Sequence, residues 1–352
     1  MSLETVWFVL IAVLWSGYFV LEGFDFGVGM LLPFLPRDER ERGTMFESIG
    51  PFWDGNEVWL VVAGGATFAA FPAWYATVFS GFYVALLLIL VLLIVRVLSF
   101  EWRARGESSR WRSIWMWANT IGSVGASLIW GVALANFIHG VPINSSGDYA
   151  GTFWDLFSPY TVFAGLAVVA LFAFHGAVYT RLRTVGDLCA RAGAAARRLA
   201  VPAAALAAAL MAWTVAVAVD LNERGALGPA VTAAIGIVAL LLALAFVWRD
   251  RTGWAFGMTT VATIGVVATI FTGLYPRVLV ATDFANSLAL DNAASSDYAL
   301  KVMTVVAAVM IPVVLAYQGW TYYVYRARVG GDEPPSSPVA ALSREPHRRT
   351  PS

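Results

Sequence analysis

The stretch FSGFYVALLLILVLLIV, residues 79–95, contains no charged side chain and decides the fold class. As an α-helix rising about 1.5 Å per residue, it would cross most of a hydrocarbon core that is roughly 30 Å thick. The whole sequence shares this character, because 59% of its 352 residues are hydrophobic and only 13% are charged. Soluble domains are typically about 45–50% apolar and about 25% charged. The sequence therefore predicts an all-α integral membrane protein.

Apolar segments of similar length recur along the chain. We predict about nine transmembrane helices from the lengths and polar boundaries of these segments. The second segment is the most polar, because Asp54, Asn56 and Glu57 lie near its start and Pro72 closes it. The predicted helices are residues 6–28, 51–71, 77–98, 114–138, 159–182, 199–220, 228–248, 253–276 and 299–325.

The arginines fall mainly in alternate loops, after the first, third, fifth, seventh and ninth predicted helices. Short loops rich in Arg stay in the cytoplasm, so we place the N-terminus outside and the C-terminus in the cytoplasm. Residues 1–329 would then form one transmembrane domain. Residues 330–352, rich in Pro, Ser and charge, are predicted to form a disordered cytoplasmic tail.

The composition excludes several classes of function. The formal net charge is zero and Lys301 is the only lysine, so no basic stripe exists for a nucleic-acid partner. Cys189 is the only cysteine, which excludes an internal disulfide and a thiolate metal cage. We therefore predict no metal site and no nucleic-acid partner for this chain, which would be surrounded by the lipid membrane.

Polar residues gather at the predicted cytoplasmic ends of the first three helices. The carboxyl groups at positions 22 and 25, and those at positions 54 and 57, have the i, i+3 spacing that places both on one helix face. At the end of the third predicted helix, Arg96 adds a positive charge and Glu101 adds a further acid. The residues at this level are Glu22, Asp25, Asp54, Asn56, Glu57, Arg96 and Glu101.

An ionisable group inside the hydrocarbon costs about 2.5–3.5 kcal/mol on insertion scales, so such groups usually face a protein interior and mark ion or proton routes. We therefore interpret the set as a candidate proton route. A structural alternative stays open for single residues. Glu22 and Asp25 could cap a helix end, and the long side chain of Arg96 could reach the interface.

Two histidines lie in or near the predicted helices. A bis-histidine haem needs its ligands on opposite faces of one macrocycle. His139 lies at the outer end of the fourth helix, whereas His175 lies some 15 residues into the fifth, roughly 22 Å deeper at 1.5 Å per residue. We therefore expect packed or hydrogen-bonded histidines and no haem site.

The sequence contains 15 tryptophans, and most are expected at the membrane interface, where an amphipathic ring is favoured. Trp53 and Trp59 differ, because they flank the acidic residues of the second helix. The alternative for these two indoles is that they line a cofactor site or a gas passage.

Two motifs resemble subunit II of the cytochrome bd oxidases: GFDFGVGM at residues 23–30 and PFWDGNEVW at residues 51–59. The resemblance spans the chain, and the first 105 residues carry most of it. Further matching motifs, in the same order as in the family, are Gly64-Gly65, Phe71-Pro72, FSGFY at residues 79–83, Arg96 with Phe100-Glu101, Asn136 with Gly140-Val141-Pro142, and RTVGDL at residues 183–188.

The resemblance implies nine helices arranged as two four-helix bundles plus one helix. It also implies a larger partner, subunit I, that binds haem b558, haem b595 and haem d and oxidises quinol. Small single-helix subunits are further candidate partners. This chain alone would bind no haem and hold no catalytic residue. The complex would lie in the bacterial cytoplasmic membrane as a multi-pass assembly, reduce oxygen to water and build a membrane potential.

In the family, acids like Asp54 and Glu101 belong to a proposed cytoplasmic proton path toward haem d. Two departures bear on that path, because Glu101 stands where some relatives carry Asp and Glu57 where some carry Gln. The site residues that we predict are Asp54, Glu101, Asp25 and Glu57 for a proton pathway, Trp59 for an oxygen channel, and Arg96, Trp53 and Glu22 as structural or charge partners.

Two other classes of function remain open from the residues alone. A proton-coupled secondary transporter would also bury acids, but its site would lie near the midplane between two repeats. The charges here gather near one end of the helices instead. A structural anchor with no proton role is the second alternative. Our interpretation is an oxidase subunit that supports assembly, proton delivery and oxygen access.

Overall fold

The computed structural model describes residues 2–106, 108–221 and 225–330. It is almost entirely helical, which confirms the predicted fold class. The predicted tail lies outside the described residues apart from Gly330, so its disorder stays a prediction. The helices are α1 (Leu3–Leu31), α2 (Glu39–Ile49), α3 (Trp53–Ala70), α4 (Pro72–Gly81), α5 (Tyr83–Arg105), α6 (Ser109–His139), α7 (Pro159–Arg183), α8 (Gly186–Leu221), α9 (Leu227–Trp248), α10 (Thr252–Leu274), α11 (Leu290–Ala293) and α12 (Asp297–Val324).

Eight of these helices are long and apolar enough to cross a membrane by length and composition, namely α1, α5, α6, α7, α8, α9, α10 and α12. The remaining predicted span is α3, an 18-residue helix. It would extend roughly 27 Å at 1.5 Å per residue. Asp54 and Glu57 in its first turns make it too polar to join the apolar set.

Several helix boundaries differ from the predicted ones for local reasons. The predicted helix 77–98 is divided at Phe82, and its first part belongs to α4, which Pro72 begins at the first helical turn. The short polar helix α2 was not predicted, because it lacks a long apolar run; the side chain of Asp38 caps it by accepting from the Glu41 backbone. Helix α8 begins at Gly186, before the predicted residue 199, because its Arg-rich first turns extend beyond the apolar segment.

The helices pack as two groups of four with one helix left over. Helices α7, α8, α9 and α10 form one group, and α1, α3, α5 and α6 form the other. Contacts of α7 with α1 and α6 join the two groups. Helix α12 contacts α1 and α3 only lightly, and Leu300 is its only buried residue. This arrangement confirms the expected two bundles plus one helix.

Glycines allow the closest helix crossings. A Cβ atom on Gly176 of α7 would lie 2.2 Å from the carbonyl carbon of Gly27 on α1. Two further crossings of this kind join α6 to α7 and α9 to α10. Small residues at helix interfaces let backbones approach, and close packing is a main source of attraction between helices in lipid. The three glycine pairs are Gly27 with Gly176, Gly131 with Gly165, and Gly236 with Gly265.

Loops at one end of the bundle form a small cap over the helices. Strands β1 (Arg277–Leu279) and β2 (Leu288–Ala289) pair antiparallel, and Val141 forms a bridge with Ala281. The side chain of Asn136 donates to the carbonyl of Leu156 at 2.9 Å. These bonds satisfy backbone groups of the loops that follow α6 and α10.

The other end carries the arginine clusters, and we call it the arginine-rich end. Its loops are linked by ion pairs. Asp250 accepts hydrogen bonds from Arg181 at 2.8 Å and from Arg197 at 2.9 Å. The bond from Arg181, followed by its positive charge, lowers the pKa of Asp250. The carboxylate thus stays ionised and joins the loop between α9 and α10 to α7 and α8.

We expect Gly176→Ala to destabilise the protein, because the new methyl group would meet the backbone of α1. Overpacking of this kind costs about 1–3 kcal/mol. The midpoint of thermal unfolding of the detergent-purified protein should therefore fall. Gly253→Ala is the matched control, since nothing lies within 4 Å of a Cβ at that position. Equal midpoints for the two variants would contradict the role of the glycine crossing.

Candidate functional site

The centre of the site is a completely buried group of three charged side chains. Glu22 and Asp25 stand one turn apart on α1, and Arg96 reaches them from α5. The Arg96 guanidinium nitrogens lie 3.4 Å from a Glu22 oxygen and 3.6 Å from an Asp25 oxygen. All three side chains have no exposed surface. The i, i+3 spacing of the two acids therefore does place both on one face of α1.

Asn56 connects this group to two further helices. Its amide nitrogen donates to Asp25 at 2.9 Å, so α3 is joined to α1. Its amide oxygen accepts a hydrogen bond from the Tyr322 hydroxyl at 2.7 Å, so α12 is joined as well. Gln318, one turn away on α12, also donates to that oxygen at 3.4 Å. The Asn56 side chain is fully buried and is the junction of α1, α3 and α12.

Glu57 supplies a third carboxyl group beside Arg96. The residue is partly buried, and its carboxyl group interacts electrostatically with the Arg96 guanidinium. One of its carboxyl oxygens is buried without a hydrogen-bond partner among the described residues. Three carboxyl groups therefore share one guanidinium. An uncompensated buried charge is strongly destabilising, and Glu22 and Asp25 are both completely buried beside this single guanidinium.

Aromatic rings and polar side chains hold Arg96 in place. The guanidinium carbon lies 4.8 Å from the centre of the Phe26 ring and 5.6 Å from that of Phe100. Such cation–π contacts are worth about 2 kcal/mol when desolvated. Ser99 donates to the Arg96 carbonyl at 2.5 Å, and Asn119 of α6 donates to Ser99 at 2.8 Å. The alternatives of an interfacial Arg96 and of helix-capping acids are therefore wrong, because all three residues are paired inside the bundle.

Two of the predicted proton-path residues lie outside this buried group. Asp54 is exposed at the start of α3, one turn before Glu57. The Glu101 side chain is 67% exposed and pairs with Arg105 at 3.2 Å. Both carboxyls lie at the arginine-rich end, as predicted. The structure thus brings together Glu22, Asp25, Glu57 and Arg96, whereas it leaves Asp54 and Glu101 at the surface.

The two tryptophans of α3 contact neighbouring helices. The Trp53 indole stacks on Phe100 of α5, with ring centres 5.6 Å apart. Trp59 packs against α1 at Gly17, where a Cβ atom would lie 2.3 Å from the indole ring. Gly17 is thus needed for the close contact between α1 and α3. Both indoles border the helices that carry the buried carboxyls.

The histidines are packed as expected. His175 is fully buried; its Nδ1 atom lies 2.7 Å from the Thr259 hydroxyl, and its ring stacks on Phe256 at 4.7 Å. His139 is exposed at the end of α6 and stacks on Tyr160. Within the described ranges, no group of three or more His, Cys, Asp or Glu side chains could hold a metal ion.

Sequence reasoning missed the contribution of α12 and α6 to this site. Gln318 and Tyr322 complete the Asn56 junction, and Asn119 and Ser99 support Arg96. A signal was present, because polar side chains inside apolar helices are rare and usually face protein. Their partners could not be identified, since helix periodicity does not say which faces meet.

Comparison with known proteins places the chain in a family. The family model for cytochrome bd terminal oxidase subunit II matches residues 3–325. A Bacillus subtilis relative, cytochrome bd ubiquinol oxidase subunit 2, is 40% identical over 337 residues, which cover 95% of this chain and 98% of the relative. The Escherichia coli K12 cytochrome bd-I ubiquinol oxidase subunit 2 is 37% identical over 360 residues, which cover 93% of this chain and 95% of the relative.

A solved structure has the same fold. A chain of the bd oxidase from Geobacillus thermodenitrificans superposes with a TM-score of 0.70 at 17% sequence identity, covering 92% of this chain and 98% of that one. At this identity the likeness concerns the fold alone. The match of the family model to nearly the whole chain, together with relatives of about 40% identity, shows that this multi-pass membrane protein belongs to the cytochrome bd terminal oxidase subunit II family.

Proposed function

We propose that this chain delivers protons from the cytoplasm to the oxygen-reducing centre of a cytochrome bd-type quinol oxidase, while a partner subunit carries the haems. The observation that supports the proposal is the buried group of Glu22, Asp25, Glu57 and Arg96 at the arginine-rich end. Relatives named as subunit 2 of ubiquinol oxidases make quinol the proposed electron donor. Reducing oxygen to water consumes protons, and taking them from the cytoplasm would build a membrane potential.

The proposed orientation follows from the loops. The arginine-rich end faces the cytoplasm, because short Arg-rich loops stay on that side. The N-terminus then lies outside, the domain of residues 1–329 spans the bacterial cytoplasmic membrane, and residues 330–352 form a cytoplasmic tail. This orientation puts Asp54, Glu101 and the buried carboxyl groups within reach of cytoplasmic water.

The proposed proton path has a surface part and a buried part. Asp54 and Glu101 are the surface carboxyls that take up protons at the mouth. Glu57 lies one helical turn beyond Asp54 and faces Arg96, beside which Glu22 and Asp25 stand. Each step connects groups that can gain and lose a proton. The positive charge of Arg96 would keep at least one of these carboxyl groups ionised.

The proposal includes oxygen access through this chain at the contact between α1 and α3. Trp59 packs against Gly17 where α1 and α3 meet, next to exposed apolar residues of α3 such as Val61 and Val62. An apolar gas dissolves in lipid and could reach this seam from the membrane. Trp59 as a border of an oxygen channel stays a prediction.

The two histidines among the described residues are not placed to bind one haem from both faces. The Nδ1 atom of His175 lies 2.7 Å from the Thr259 hydroxyl, its Nε2 atom makes no hydrogen bond of normal geometry among the described residues, and Phe256 covers one face of the ring. His139 lies at the end of α6 against Tyr160, in another part of the molecule. We therefore propose that haem b558, haem b595 and haem d are held by the partner.

The alternative function is that of a structural anchor without a proton role. The variants described next distinguish this anchor from a proton path.

In the assembled complex, Asp54→Asn should lower oxygen-reducing turnover about tenfold or more, because an amide keeps the shape but cannot exchange the proton. Glu57→Gln should be mild, since some relatives carry Gln there. Glu101→Gln should act in the same direction as Asp54→Asn, and Glu101→Asp should be mild. Haem content and subunit assembly should stay normal. The matched control is Asp148→Asn, which removes an exposed carboxyl at the opposite end. Wild-type turnover and membrane potential in Asp54→Asn would favour the anchor.

Arg96→Met should prevent assembly, because Glu22 and Asp25 would lose their only cation. Breaking a buried pair by removing one partner costs about 3–5 kcal/mol. Arg105→Gln is the control, since its exposed pair with Glu101 is worth about 0–1 kcal/mol. The measurement is the yield of intact complex after size-exclusion chromatography in mild detergent. Equal yields for both variants would show that the ion group does not hold the helices.

His175→Asn should leave the haem content of the purified complex unchanged. The asparagine amide can still bond to Thr259, so the fold should persist. The ratio of b-type and d-type haem to protein, measured from pyridine haemochromogen spectra, checks this. Loss of one haem per complex with both subunits present would assign a haem ligand to this chain.

A further inference from the structure

Three polar aromatic side chains deep in the bundle make no hydrogen bond of normal geometry among the described residues, and the one polar interaction between them joins Trp130 to the Tyr18 hydroxyl. They are Trp15 and Tyr18 of α1 and Trp130 of α6, and each is less than 9% exposed. Their ring centres lie 5.1–6.0 Å apart, so the two indole N–H groups and the phenol share one small region. Burying such a group without a partner costs about 1–3 kcal/mol, and each case requires an explanation.

The other buried tyrosines of this chain show what is unusual about Tyr18. The Tyr160 hydroxyl lies 2.8 Å from that of Thr214, and the Tyr179 hydroxyl donates to the Ser48 carbonyl at 2.8 Å. Tyr322, which is only half-buried, also has a partner, since its hydroxyl donates to Asn56. Tyr18 is equally buried, with 1% exposed surface, but its hydroxyl makes no hydrogen bond of normal geometry in the described part of the chain and interacts only with the Trp130 indole.

The unpaired hydroxyl lies next to the unpaired carboxyl oxygens of the ion group. Tyr18 and Glu22 are four residues apart on α1 and therefore neighbours on one helix face. Neither Glu22 oxygen has a hydrogen-bond partner by geometry, and Tyr18 lies within the electrostatic reach of Glu22 and Glu57. Along α1, Tyr18 is about 6 Å further from the arginine-rich end than Glu22.

The donor and acceptor types fit water. Indole N–H groups only donate, an ionised carboxylate only accepts, and a phenol does both. A buried water typically makes two to four hydrogen bonds to polar groups that are otherwise unpaired. A water between these groups can accept from Trp130, donate to Glu22 and exchange hydrogen bonds with Tyr18. An apolar ligand would leave all of these groups unpaired.

From this geometry we infer that Tyr18 is the inner end of the proton path and that bound water joins it to Glu22. The inference rests on the proposed function. A proton on Glu22 moves to water, a proton of that water moves to the Tyr18 oxygen, and Tyr18 releases its own hydroxyl proton to the next acceptor, a water or a group of the partner. No group is oxidised or reduced. Trp15 and Trp130 are positioning residues that hold the water.

Hydration is tested on the native complex by X-ray footprinting, in which radiolysis of bound water oxidises the side chains beside it. Tyr18 and Trp130 should be modified at least threefold faster than Tyr160, which is as buried but has its hydroxyl paired. Equal modification rates for Tyr18 and Tyr160 would overturn the inference.

The relay is tested with Tyr18→Phe in the assembled complex, with Tyr160→Phe as the matched control. Tyr18→Phe should slow turnover and proton uptake threefold or more and raise the solvent isotope effect on turnover, with haem content unchanged. Tyr160→Phe should leave all of these unchanged. A wild-type rate in Tyr18→Phe overturns the inference, as does slow turnover without a change in the isotope effect. If Asp54→Asn is slow while Tyr18→Phe is not, the proposed function stands and only this extension fails.

Discussion

The burial of Arg96 beside Glu22 and Asp25 is the constraint on which the rest of the structure depends. A guanidinium in a hydrocarbon environment is tolerated only with charged partners and with protein on every side. That requirement fixes the position of α5 against α1, because the two carboxyls stand on a single face of α1. Phe26 and Phe100 then exclude lipid from the cation. The ion group therefore determines how the first bundle is assembled.

The same group determines how the last helix is attached. Helix α12 has little apolar contact with the bundle, so its attachment depends on polar contacts. At the arginine-rich end of α12, Tyr322 bonds to Asn56 and stacks on Phe52 at 4.4 Å. The chain that follows α12 is held by Arg183, which donates to the Ala327 carbonyl at 2.6 Å and accepts from the Val329 backbone at 2.7 Å. A change at Asp25 would thus be felt at α12 through Asn56.

The sequence predicted the membrane class and most spans, because long apolar runs can be recognised without knowing their neighbours, whereas the two bundles were implied only by the family resemblance. It also identified every charged residue of the buried group. What it did not predict is the pairing. The spacing of residues 54 and 57 is the same as that of residues 22 and 25, yet Asp54 is exposed and Asp25 is fully buried. The rotation of α3 about its axis decides this difference, and local sequence does not encode that rotation. For the same reason, the sequence did not single out Tyr18. Whether its hydroxyl finds a hydrogen-bond partner depends on how the helices pack.

An anchor and a proton path make different demands on such a group, and its composition distinguishes them. A cluster that only held helices together would be most stable with equal numbers of acids and bases, every oxygen and nitrogen being paired. Here carboxyls outnumber guanidinium groups, and both Glu22 oxygens and all three Arg96 guanidinium nitrogens lack a hydrogen bond of normal geometry within the described residues. Unpaired polar atoms cost stability. A site that must bind and release protons needs that spare capacity, because a fully paired carboxylate has no reason to take up a proton. The unpaired atoms of the group, which also joins α1 to α5, therefore support the proposed proton transfer more than a purely structural role.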